Sequence, residues 1–142
     1  MPSIDWYHAA VESLLAGSLP DLSTSTVRLA LLTAAHTPNL ATHAVFGDVS
    51  ADELADAGYT AAGEIIANVA VTEAAGTATL DGDDVSWLGV TWPTGTRWAV
   101  AYLDATPASL LFLVDLDTTR TPAAEDFAVR WNAAGITTLA QV

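Results

Sequence analysis

Apolar and polar positions change period along this chain. Over residues 4–16, Ile4, Tyr7, Val11, Leu14 and Leu15 recur at helical spacing. Ser3 stands as a helix N-cap, Asp5 falls in the first turn, Gly17 suits a C-cap and Pro20 blocks continuation. The pattern predicts an N-terminal amphipathic helix within residues 1–20, with Trp6 and His8 off its main stripe. Over residues 26–33 the period drops to two. Val27, Leu29 and Leu31 share one face of a strand; Arg28, Ala30 and Leu32 share the other. Residues 34–63 lose regular periodicity. Within them Ser50 and Glu53 have capping-box spacing, which predicts a short helix ending near Gly58. So long a connection in a single domain is usually functional, so residues 34–63 are expected to lie against another chain.

From residue 64 to residue 142 the pattern is strand after strand. Apolar alternation over 66–72, 77–80, 85–87, 97–103, 110–116, 127–131 and 136–139 is broken by turn residues at Ala74-Ala75-Gly76, Asp81-Gly82-Asp83-Asp84, Pro93-Thr94-Gly95, Pro107 and Asn132-Ala133-Ala134-Gly135. No helical period separates these strands. The expected fold is therefore mainly β: an antiparallel sandwich or barrel-like domain, with the helix and the long loop added to it.

Composition narrows the function classes. At 142 residues the chain is one domain's worth of sequence. It has no cysteine, so disulfides and thiolate chemistry are excluded. Four Lys+Arg against 17 Asp+Glu leave a net charge of −13. All four cations are arginines: Arg28, Arg97, Arg120 and Arg130. No nucleic-acid groove can be built from them, and an anionic membrane would repel the surface. Hydrophobic residues make up 51%, yet no run reaches the roughly 18 apolar residues of a membrane helix. The first fifteen residues carry Asp5 and Glu12 and no basic leader, so a signal peptide is not expected and a cytoplasm-like setting is. Only 15% of residues are charged, which suggests that partners cover part of the surface.

Candidate chemistry is sparse. No serine stands in a nucleophile-elbow motif, and no glycine-rich phosphate loop is present. His8, His36 and His43 form no zinc motif. His36 and His43 share one loop and could meet around a metal, with Asp48 or Asp52 as third ligand; exposed loop histidines are the plainer reading. The acidic turn at 81–84 could supply some calcium ligands, but it lacks EF-hand spacing and reads as an Asp-Gly turn. Asp115 and Asp117 share a strand face without a recognisable sugar cleft. Trp87, Trp92, Trp98 and Trp131 could form a stacking platform for sugars, or simply pack. No cofactor and no metal are expected, and an enzyme has no positive support.

Several segments together resemble a family of small virion proteins of tailed bacteriophages. They are residues 27–33 followed by Thr37-Pro38-Asn39-Leu40-Ala41-Thr42-His43, then Phe46-Gly47-Asp48-Val49, Gly58-Tyr59-Thr60-Ala61-Ala62-Gly63, the stretch from Leu80 to Trp87, the strand from Arg97 to Tyr102, and the ending from Val129 to Ile136. The resemblance spans nearly the whole chain and marks a fold rather than an active site. It implies a structural part of the particle: a head decoration or minor capsid protein, with a minor tail or fibre-associated subunit as the alternative. The partners implied are the major capsid protein and sister copies, a trimer before a monomer, on the virion head after assembly in the host cytoplasm. This chain departs from the commoner pattern in lacking lysine and carrying extra Ala and Trp.

On this reading the chain is not an enzyme. The helix and residues 34–63 would touch the shell, through Trp6, Tyr7, His36, Pro38, His43, Phe46 and Tyr59. A receptor- or glycan-binding tip would instead expose a pair of tryptophans, and a hydrolase would converge His36 with a carboxylate in a pocket.

Overall fold

The computed structural model describes residues 3–140. In chain order they form β1 (Ser3–Trp6), α1 (His8–Leu15), β2 (Val27–Leu32), two single 3-10 turns at Phe46–Asp48 and Ser50–Asp52, β3 (Glu64–Ile65), β4 (Ala70–Ala74), β5 (Thr77–Asp81), β6 (Val85–Thr91), β7 (Thr96–Leu103), β8 (Leu110–Arg120), β9 (Ala123–Val129) and β10 (Thr137–Ala140). All pairings between them are antiparallel. Five strands form one sheet in the order β1-β8-β7-β2-β3. The remaining strands form a three-stranded sheet, β10-β5-β4, and a two-stranded one, β6-β9. None closes, so the chain takes the layered alternative and not the barrel.

The two small sheets act as one kinked layer. The chain leaves β5 at Asp81 and re-enters pairing at Val85, opposite Val129. Its partner leaves β9 at Val129 and re-enters at Thr137, opposite Leu80. This layer covers one face of the five-stranded sheet. Leu29, Leu31, Ala99, Ala101, Phe112 and Val114 meet Leu80, Val85, Trp87, Val90, Trp92, Val129 and Ile136 there. Trp92 is fully buried, with the rings of Phe127 at 5.3 Å and Trp87 at 5.9 Å.

The other face of the large sheet is also buried. Ala30, Leu32, Val100, Tyr102, Leu110 and Leu113 pack with Tyr7 and Ala10 of the N-terminal segment and with Val49 of the long loop. An antiparallel sheet commonly leaves one face wet. Here β2, β7 and β8 carry apolar residues on both sides, so both sides demand cover.

Three expectations change. The N-terminal helix does not begin at Ser3, and only part of the 1–20 segment is helical. Residues 3–6 pair with Asp115, Val114, Leu113 and Phe112 of β8, with Ile4 and Trp6 turned inward. The alternation Ser-Ile-Asp-Trp fits that edge, and a period of two wins over 3.6. The helix then starts at His8, and Gly17, at φ +71°, ends it as expected. Second, the helix expected from Ser50 is a single 3-10 turn. The Glu53 carboxylate reaches forward instead, accepting from Tyr59 Oη at 2.6 Å and from the Ala62 N–H at 2.7 Å. Third, the strand expected over 66–72 begins only at Ala70, as β4 beside β5; residues 66–69 carry the chain over from β3 (Glu64–Ile65, beside β2), with Asn68 at φ +53° in the turn between. Met1, Pro2, Gln141 and Val142 lie outside the described residues, so the expected segments are seen only within 3–140.

Gly63 shows how closely the loop approaches the sheet. Its φ is +78°, and a Cβ there would stand 2.1 Å from the Leu29 carbonyl oxygen. Only glycine fits. For the face under the kinked layer, truncating the largest fully buried side chain gives the direct check. Trp92→Ala is expected to cost about 3–5 kcal/mol, read from the midpoint shift in urea unfolding.

Candidate interaction surfaces

The seven residues expected to face a partner are all turned inward, fully or in part. Trp6 is half-buried in β1 with its ring 5.5 Å from Phe112. Tyr7 is fully buried; its N–H donates to the Leu111 carbonyl at 3.1 Å, and burial pushes its phenol up to about 12. Phe46 is half-buried and stacks on Tyr102, with centroids 4.2 Å apart and planes at 8°. Pro38 is half-buried in the same loop. Tyr59 is half-buried: its hydroxyl donates to Glu53 and accepts the Leu31 N–H at 3.1 Å, which ties loop to strand. Tyr7 and His36 therefore offer a partner no side-chain surface. The loop over 34–63 covers its own sheet, and Trp6, Pro38, His43, Phe46 and Tyr59 keep only part of their surface for a partner.

His36 and His43 do come together, as their shared loop allowed. His36 is 4% exposed, its Nδ1 lies 2.9 Å from Asp52 Oδ2, and the two rings are 5.5 Å apart. Nε2 of His36 and Nδ1 of His43 are buried without a hydrogen-bond partner. Asp48 does not join them; its carboxylate accepts the Ala44 and Val45 N–H groups at 2.8 and 3.0 Å, which hold it below the usual carboxylate range. Among the described residues no group of three or more His, Asp or Glu side chains is placed to hold a metal ion. The arrangement clamps residue 36 to the turn at residue 52.

The acidic turn is likewise used for structure. Asp83 accepts from Asn68 at 2.7 Å, and Asp84 accepts the Trp131 N–H at 2.9 Å. Asp81 accepts from the adjacent Gly82 N–H at 2.9 Å. Asp115 is bridged by Arg97 and also accepts the Asp117 N–H, and the guanidinium holds its carboxyl below the ordinary value. Trp87 and Trp92 are in the core, and Trp98 lies under the Arg97 guanidinium at 4.3 Å. The tryptophans thus form no exposed pair among the described residues.

What faces outward was only partly foreseen. The helix α1 buries Ala10 but leaves Val11 40%, Leu14 48% and Leu15 81% exposed. These three positions form one stripe at spacings of three and four. Beside the helix a depression of about 170 Å³ is lined by Ala9, Ser13, Leu19 and Val45, among others. At the open flank of the two layers lies a larger cleft of about 790 Å³. Ile4, Leu116, Phe127 and Ile136 line it with Arg120, Arg130 and Trp131. Arg28 and Arg97 are paired with Asp104 and Asp115. The two arginines without a carboxylate partner among the described residues both line this cleft. Comparison with family models, with curated proteins and with solved structures returns no match to this chain.

The three tyrosines give a pH signature. Burial raises Tyr7 and Tyr102 to about 12; burial and then the Glu53 hydrogen bond raise Tyr59 further. An unfolded phenol ionises near about 10. The folded chain thus favours the neutral phenols. Their contribution to stability is complete below about pH 10 and falls as pH rises toward 12. Ultraviolet titration is expected to show little tyrosinate at pH 10 and a cooperative rise that coincides with unfolding above it.

Proposed function

We propose that this chain is a structural protein of a tailed-bacteriophage particle, a decoration or minor capsid subunit that adheres to the assembled head. The observation that carries the reading is the bare apolar stripe on α1. An eight-residue helix that leaves about half of Val11 and Leu14 and most of Leu15 in solvent does not bury this apolar surface within its own fold. Covered by a partner, Leu15 would contribute up to about 1.5–3 kcal/mol, and Val11 and Leu14 about half of that or less. The motif resemblance along the sequence names the kind of partner, a capsid shell.

Charge supports the same reading. At −13, free copies repel one another and stay off packaged DNA. Adhesion must then come from shape and apolar contact in a few places, and the stripe is one such place. The cleft is a second, able to take an acidic or apolar segment between Arg120 and Arg130. Binding the shell would also raise the stability of the subunit by mass action. The contact expected on the N-terminal helix is thus kept, through Val11, Leu14 and Leu15, and the open flank is added to it.

The test is pull-down of the chain with shells assembled from its cognate capsid protein. Leu15→Asp is expected to weaken binding about tenfold or more while leaving the thermal midpoint unchanged, because Leu15 is 81% exposed. Wild-type chain that fails to sediment with shells would overturn the reading.

A further inference from the structure

The edge of β4 is the longer of the two open edges of the three-stranded sheet. All five residues from Ala70 to Ala74 are exposed, on both faces of the strand. On one side β4 pairs with β5; on the other, among the described residues, no strand follows. Natural edges are usually protected by lysine, proline, a bulge or extreme shortness. The edge strands β1 and β3 are four and two residues long, and β1 carries Asp5. β9, an edge of the second layer, sits in an irregular ladder with Ala124 at φ +53°. Of these devices β4 has only a single charge. Its one charge is Glu73, whose carboxylate accepts the Gly76 N–H at 2.8 Å.

The hairpin fixes which backbone groups face outward. Ala75 and Gly76 have φ of +52° and +81°, the signature of a two-residue turn that closes on Ala74 and Thr77. Bonded and non-bonded pairs alternate from there. Ala74, Thr72 and Ala70 therefore direct their N–H and C=O groups to β5. Val71 and Glu73 direct theirs to the empty side.

We propose that β4 pairs with β4 of a second copy, antiparallel, about a two-fold axis at Thr72. In this register Val71 lies opposite Glu73 of the other copy, and the outward groups of both residues are matched. Four backbone hydrogen bonds form. Thr72 meets Thr72 across the axis, a favourable cross-strand pair, and Ala70 meets Ala74. No two carboxylates stand opposite each other. The result is a six-stranded sheet, β10-β5-β4-β4-β5-β10, shared by two chains. The contact is isologous, so it stops at two. It differs from the trimer that the family resemblance implies, and it does not depend on the particle reading.

Sedimentation of the full chain over a concentration series tests it. The wild type is expected to be a dimer, and added salt should strengthen the pair because two −13 chains repel. Thr72→Lys and Thr72→Glu each place like charges face to face at the axis. Each variant alone is expected to be monomeric, weakened at least tenfold. An equimolar mixture of the two should pair again, which a merely misfolded variant could not do. A monomeric or trimeric wild type would overturn the proposal, as would variants that still dimerise alone or a mixture that stays monomeric.

Discussion

One antiparallel sheet is apolar on both faces, and the rest of the chain is arranged to keep water off both. Strands β2, β7 and β8 present Leu29 and Leu31 to one side, and Ala30 and Leu32 to the other, with Val100, Leu111 and Leu113 continuing the pattern. One cover is the kinked layer of β4, β5, β6, β9 and β10. The other is irregular: the segment around Tyr7, the stacked Phe46 and the turn at Val49. An irregular cover must satisfy its own backbone groups. This explains the side-chain anchors that run through it, from Asp48 on two N–H groups to Glu53 and Tyr59 on Ala62 and Leu31.

That constraint also explains what was legible in the sequence. Strands β5 to β10 follow from alternation and turn residues, since a sheet edge or a hairpin is written locally. The Ala75-Gly76 hairpin and the break at the acidic turn stand where the turn chemistry places them. Residues 3–6 read as helix in the sequence because Ile4 fits a helical stripe as well as a strand. Only the pairing of residues 3–6 with β8, more than a hundred positions away, decides between them. How the long loop packs on its own sheet is hidden from the sequence for a similar reason. Its aromatics are sticky, and the sequence did not reveal that a second apolar sheet face would claim them. The available signal was the five-residue apolar run at 110–114, which leaves a strand no wet side.

Charge is distributed with the same economy. Two of the four arginines fasten strands, Arg28 to Asp104 beyond β7 and Arg97 to Asp115 on β8. The other two stand at the open flank. Seventeen acidic residues against four arginines keep the chain strongly acidic, so association is discouraged except where apolar or backbone groups match. The α1 stripe and the β4 edge are two such places. They lie on different elements, so one copy could engage a shell and a sister copy together.

Hydrogen exchange of the free chain and of the chain bound to shells tests the central claim most directly. If residues 34–63 belong to the core of the fold, their bonded amides, Leu54 and Gly63 among them, are protected in the free chain, and the gain on binding falls on residues 8–17. Rapid exchange across 34–63 in the free chain, with protection appearing there only on shells, would contradict the account and return the docking surface to the loop.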